Sequence, residues 1–292
     1  MAPAGSAGRR PGRLRWATMI RPPERARPLV MGILNVTPDS FSDGGEWFET
    51  DRAIARGHEM IDQGVDIVDV GGESSRPGAR PVDTGEELRR IVPVVQALAG
   101  TVRVSVDTVK AEVAEAALAA GATLVNDVSA TLWPVAAERG AGWVAMHRRG
   151  TPADMQDDPT YDDVVADVSA FLVARAEEAR AAGVEEIWID PGIGFGKTAE
   201  HNLALLGATA ELAATGYPVL VGTSRKSFLG ALARDAGGRP APVHQRLAGS
   251  VATATWAMVQ GASMVRVHDV SETVQAASLV GWGPGRVPEP AR

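Results

Sequence analysis

At 292 residues, 45% hydrophobic and 22% charged, the chain has the length of one large α/β unit or two average domains and enough apolar content for a substantial core. Its 36 acidic against 29 basic residues, a net charge of −7, exclude a general basic footprint for nucleic acid. Having no cysteine, it forms no disulfide, thiolate zinc site or thiol nucleophile, which fits a cytoplasmic enzyme, and no apolar run approaches a membrane span.

Residues 1–28, rich in Pro, Gly, Ala and Arg, read as a flexible N-terminal extension without a secretory signal. From Leu29 short apolar runs alternate with helical patterns. The runs are 29–34, 65–70, 102–107, 122–127, 142–147, 186–190, 217–222 and 263–268, several apolar at nearly every position, as strands of a parallel sheet covered on both faces should be. Helix-like composition fills 51–63, 85–98, 110–120, 134–139, 162–182, 200–214, 245–260 and 271–280. Six helices run into a glycine before the next strand, as in "DQGVDIVDV" and "AAGATLVND", and glycine there tolerates the left-handed turn. Eight βα units without an interrupting domain predict an α/β fold, a single-domain (β/α)8 TIM barrel over 29–283 with a tail at 284–292. An open doubly wound sheet is the alternative.

In such a barrel the active site lies at the C-terminal ends of the strands, and each of the eight runs ends in polar residues. In order they supply Asn35, "GGESSRPGAR", Asp107, Asn126 with Asp127, Met146 with His147, Asp190, "SRKS", and Arg266 with His268. The loops "TPDSFSDGG" and "ESSRPGARP" are long for βα connections, which points to function. Asp107, Asn126 and Asp190 together suit a flat, nitrogen-rich heterocycle, with carboxylate acceptors for ring N–H groups. A metal held by the two carboxylates is a rival, weakened by the lack of ligand spacing. Arg266 and His268, two apart on a strand, face one side and suit a phosphate or diphosphate. Lys226 invites a Schiff-base reading, as in barrel aldolases, or a hydrogen bond to a ring carbonyl.

Taken in order, "MGILNVTPDSFSDGG", "DIVDVGGESSRPGA", "VSVDT", "VNDVSA", "MHRRGTPADMQ", "IDPGIGFGKTAEHN", "GTSRKSFLG" and "VRVHDV" resemble the dihydropteroate synthases of folate biosynthesis over residues 30–280. The resemblance implies condensation of a dihydropterin-methyl diphosphate with 4-aminobenzoate, small-molecule partners only, Mg2+ as cofactor, and a homodimer. It implies that Asp107, Asn126 and Asp190 hold the pterin edge, that Met146 and Phe195 line its ring, and that Lys226 reaches its carbonyl side. Arg266, His268 and Asn35 would hold the diphosphate, with Asn35 as the metal ligand. Ser75, Arg76, Pro77, Ser227 and the stem of Lys226 would form the aminobenzoate pocket, with Arg225 supplying an attracting field and Asp39 and Phe41 closing over it. Catalytic roles fall to Lys226, Arg266, His268 and Asp39.

The chain departs from the family pattern at Ser75, often Thr, at Arg148, often Met, and after Asn126, where a glycine pair is missing. A methyltetrahydrofolate-corrinoid methyltransferase would share the Asp-Asn-Asp cradle but need neither "SSRPG" nor "SRKS". A non-catalytic pterin-binding paralogue is the other alternative.

Overall fold

The computed structural model describes residues 27–37, 46–74, 78–79, 81–151, 154–157 and 159–282. Among these, eight parallel strands alternate with helices: β1 (Leu29–Asn35), α1 (Glu46–Asp62), β2 (Ile67–Gly71), α2 (Thr84–Leu98), β3 (Arg103–Asp107), α3 (Ala111–Ala120), β4 (Leu124–Asp127), α4 (Trp133–Arg139) and β5 (Gly142–Met146). There follow α5 (Val164–Ala181), β6 (Ile187–Asp190), α6 (Ala199–Gly207), α7 (Thr209–Ala213), β7 (Leu220–Val221), α8 (Ser227–Leu232), α9 (Leu247–Val259), β8 (Met264–Val267) and α10 (Val270–Trp282). The sheet order is β6-β5-β4-β3-β2-β1-β8-β7. A parallel bridge between Ile189 and Val219 joins its two ends, with Ile189 N donating to Pro218 O at 3.0 Å. The sheet therefore closes into the expected barrel.

Every expected strand is present within a few residues of its expected bounds. The six glycines at helix ends, from Gly64 to Gly261, all have positive φ, as the turn into each following strand requires. The helix expected over 200–214 is instead two, α6 and α7, parted at Ala208. The buried Thr209 turns its hydroxyl back to Leu206 O at 2.8 Å there. α8 and a 3-10 turn at Val243–Gln245 occupy a stretch in which no element was predicted, because six residues carry too little periodicity to read.

Period-two alternation sorts each strand between two cores. Outward residues such as Val30, Val68, Val104, Val125 and Val265 pack under the helices in the larger cluster. Inward, Met31, Ile67, Leu124, Val144, Trp188, Leu220 and Met264 fill the barrel as an apolar plug, each no more than 2% exposed. Burying a side chain of this size is worth about 1.5–3 kcal/mol. Arg103 pairs with Glu186 through two bonds of 2.9 and 2.6 Å, and Trp188 Nε1 donates to the same carboxylate at 2.7 Å. Two residues further along, the inward positions of β2, β4, β6 and β8 turn polar at Asp69, Asn126, Asp190 and Arg266, joined by Asp107 of β3, and that layer forms the site.

Arg27, at the end of the expected extension, is fastened to Asp66 at 2.7 and 3.0 Å, and Asp66 also accepts from Val30 N at 2.7 Å. Residues 1–26 of the extension and the tail at 284–292 lie outside the described residues.

Candidate active site

Above the apolar plug, a cavity of about 430 Å³ opens at the C-terminal ends of the strands. It is lined by Asn35, Asp107, Asn126, Met146, Asp190, Phe195, Lys226, Ser227, Arg266 and His268. The expected site residues Asp39, Ser75, Arg76 and Pro77, together with Phe41, lie outside the described residues. All the others meet in this one space.

The strands place them by register. Asp107 and Asn126 sit side by side at the ends of β3 and β4, and Asp190 ends β6 beside Met146 of β5. Asp107, Asn126 and Asp190 are 8%, 3% and 4% exposed, so their polar atoms are available mainly to whatever fills the cavity. Burial pushes the Asp107 carboxyl up to about 7, with Arg266 opposing and Asp69 adding to the rise. Burial raises Asp190 as well, while the Gly192 amide and Lys226 oppose it. Asp190 Oδ1 accepts from Gly192 N at 2.7 Å, which leaves its other oxygen for a ligand.

Arg266 stands on β8 between two carboxylates. Its Nε donates to Asp69 Oδ2 and its Nη2 to Asp107 Oδ2, each at 2.6 Å. Burial works against the guanidinium charge, but the two carboxylates more than offset it and hold its pKa above the usual arginine range. Asp69 was not expected in the site. It is 0% exposed, and its Oδ2 also accepts from Asn126 Nδ2 at 2.9 Å. The signal was present in "VDIVDV": counting by twos from the inward Ile67 places Asp69 inside the barrel. Asp127, by contrast, faces the helical layer, where it accepts from Thr131 N, Leu132 N and Trp143 Nε1 at 2.7, 2.6 and 3.1 Å. That position makes it structural.

Lys226 closes the cavity from the β7 side. Its ammonium donates to Ile193 O and stands 4.1 Å from the centre of the Phe195 ring, a cation–π contact. Burial pushes its pKa down to about 8 against the pull of Asp190. Gly194 makes this approach possible, because a Cβ there would lie 2.9 Å from Lys226 Cδ. Arg225, its neighbour, takes a left-handed φ of +59° and pairs with Asp269, Nε to Oδ2 at 3.2 Å. Its charge is thus engaged across the rim. Its amide donates to Ser250 Oγ at 2.9 Å and its carbonyl accepts from Arg246 Nη1 at 3.0 Å, which fixes the turn that presents Lys226. His268 Nδ1 lies 3.0 Å from Ser224 Oγ, which also accepts from the His268 amide at 3.1 Å.

Behind Phe195 lies a second unanticipated group. Lys197, 3% exposed, reaches His147 Nδ1 at 2.9 Å, His147 O at 3.3 Å and Phe195 O at 3.1 Å. Burial lowers Lys197 to about 7 and His147 to about 3. Three acceptors match the three protons of an ammonium, so Lys197 ties the β5 and β6 loops together. Arg148 lines an adjoining hollow of about 210 Å³, which shares Ser74, Asp107 and Val128 with the main cavity.

Residues 31–268 match the family described as pterin binding enzyme. The chain is 49% identical over 261 residues to a Mycobacterium leprae protein named dihydropteroate synthase, covering 86% of this chain and 92% of that one. A Xanthomonas albilineans dihydropteroate synthase solved with 4-aminobenzoic acid superposes with a TM-score of 0.81 at 45% identity, covering 90% of this chain and 94% of the other. A structure of that enzyme with 7,8-dihydropteroate gives 0.78 at 42% identity, over 90% and 95% of the two chains. With the polar barrel mouth and the sequence motifs in agreement, the chain belongs to the pterin-binding enzyme family, among its dihydropteroate synthases.

Proposed function

We propose that the cavity holds a (7,8-dihydropterin-6-yl)methyl diphosphate at depth and 4-aminobenzoate at its mouth, and joins them into 7,8-dihydropteroate. The observation that carries this assignment of roles is the convergence of Asp107, Asn126 and Asp190 in one cavity with Lys226 and Phe195, whose ammonium and ring stack against each other. Carboxylate and amide oxygens suit the N–H edge of an aminopyrimidinone, and the Lys226 ammonium suits a ring carbonyl or nitrogen. Met146 and Phe195 supply apolar faces for the ring.

In the reaction the aniline nitrogen forms a bond to the methylene carbon and gives up a proton to the departing diphosphate or to solvent water. The C–O bond to diphosphate breaks, and its electron pair leaves with the diphosphate. Arg266 and His268 at the β8 end face the developing charge, and preorganised donors of this kind stabilise a leaving group more than the intact substrate. Departure leaves positive charge on the methylene, spread into the pterin, where ionised Asp107 and Asp190 of the same cavity would stabilise it. Ser227, at the mouth, is placed for the carboxylate of 4-aminobenzoate.

Among the described residues no three His, Cys, Asp or Glu side chains gather for a metal. The residues fit the looser mode in which Mg2+ takes one or two protein oxygens plus phosphate and water. Asn35, whose side-chain oxygen is a hard ligand and which lines the cavity, would hold it. Bound there, Mg2+ would offset charge on the diphosphate. A homodimer in the cytoplasm belongs to the same reading. Trp256 and Val259 of α9, 50% and 69% exposed, offer apolar surface for a second copy, and no helix among the described residues is long and apolar enough to cross a membrane.

The direct test is to incubate the chain with the pterin diphosphate, Mg2+ and labelled 4-aminobenzoate. Labelled dihydropteroate is expected. Folded chain that binds the pterin yet forms no product would overturn the catalytic reading in favour of a non-catalytic paralogue.

A further inference from the structure

The inner wall of the cavity meets its ligand through oxygens left over from other bonds. Asp190 uses Oδ1 on Gly192 N, and Asp107 uses Oδ2 on Arg266, so each keeps one oxygen, which is an acceptor once the carboxyl is ionised, for Asp107 above about pH 7. Asn126 stands beside Asp107, and an amide has a donor end and an acceptor end. Nothing within Asn126 decides which end faces the ligand.

Asp69 decides it. Its Oδ2 accepts from Arg266 Nε at 2.6 Å and from Asn126 Nδ2 at 2.9 Å, while its buried Oδ1 has no hydrogen-bond partner among the described residues. The orientation of the carboxylate therefore rests wholly on Oδ2. A carboxylate paired with a guanidinium only accepts, so Asn126 must turn its NH2 towards Asp69. Reversing the amide would set two acceptors against each other with no proton between them, in a site too buried for water to relieve the conflict.

Resting on the pterin reading above, we infer that Asp69 is a specificity-determining positioning residue: by fixing the Asn126 amide it makes the cavity wall all acceptor, and so selects ligands with a row of N–H donors. A 2-aminopteridin-4-one has such an edge. The corresponding 2,4-dione carries a carbonyl in place of the amino group, and its oxygen would face a wall of oxygens.

The test compares calorimetric Kd values of pterin and lumazine, the 2,4-dione, at pH 8, above the Asp107 value, for wild type, Asp69→Asn and Asp69→Ala. Wild type is expected to prefer pterin by at least tenfold. Asp69→Asn keeps that ratio, because Arg266 turns the new carbonyl inward to accept from Asn126 as before. Asp69→Ala removes the acceptor that fixes Asn126 and opens space the carboxylate had filled for a water, which donates and accepts alike, and the ratio should fall at least tenfold. If Asp69→Ala does not fold, Asp69→Ser takes its place, since a hydroxyl also accepts either amide orientation. A preference in the alanine or serine variant within threefold of wild type, including the case where both ligands weaken equally, overturns the inference, as does a wild type that binds both ligands alike. A wild type that binds neither ligand refutes the pterin reading instead.

Discussion

Replacing Arg266 with methionine probes the centre of the site, since the change keeps an unbranched stem and removes the guanidinium. It breaks two bonds of 2.6 Å and leaves the carboxylates of Asp69 and Asp107, 0% and 9% exposed, without their shared cation. Removing one partner of a buried ion pair costs about 3–5 kcal/mol, and that is the expected loss of unfolding free energy at pH 8.5. The loss should shrink at lower pH. In the folded wild type Asp107 holds its proton up to about 7, against 3.8 for an unperturbed aspartate. A carboxyl raised in this way adds stability that is fully present below about 3.8 and is lost as pH rises through about 7. Arg266 acts to lower that value, so without it the variant keeps its proton to higher pH. Between about 7 and the variant's higher value, the deficit should narrow by about 1.4 kcal/mol for each unit the pH falls. Urea unfolding of both proteins at pH 8.5, 7.5 and 6.5 measures this. A deficit below about 1 kcal/mol at pH 8.5, or one that does not change with pH, would refute the reasoning.

Two further outcomes follow from the site. The Lys226 ammonium, at about 8, is lost as pH rises, so pterin affinity should weaken about tenfold by pH 9. Lys226→Met should bind more weakly at pH 7 and lose that alkaline limb; calorimetry showing the same limb in the variant would remove Lys226 from pterin binding. Gly192→Ala places a Cβ 1.8 Å from His147 O at a φ of +65°, so the Asp190 turn must shift. A loss of more than about 2 kcal/mol is expected in urea unfolding, and a loss under about 0.5 kcal/mol would show that the turn yields freely.

The barrel was legible because its signals are local. Apolar runs, helical periods and six glycines at helix ends recur in order, and each polar strand end could be read without knowing its neighbours. The pairing of charges was not legible in the same way. Arg225 meets Asp269, 44 positions on, and Arg266 meets Asp69, 197 positions back; such distances close only when the sheet does. Hence Arg225 read as a field for the substrate and Asp69 was passed over, although its strand parity marked it as inward. Lys197 follows "GFG" with no local signal of burial, and only the turn of that loop buries it against His147.

The two ion pairs of Arg266 also set the electroneutrality of the barrel mouth. Asp69, Asp107 and Asp190 face Arg266 and Lys226, and Arg225 is already matched by Asp269. Internal pairing thus leaves little surplus positive potential for a polyanion, even though several basic side chains line the cavity. On the function proposed above, such a pocket would favour a diphosphate ester whose charge is already offset by a counter-ion over bare phosphates, which would otherwise collect on an unpaired cluster of arginine and lysine. Selection by charge compensation then acts on the whole ion-paired substrate, before any ring atom is read.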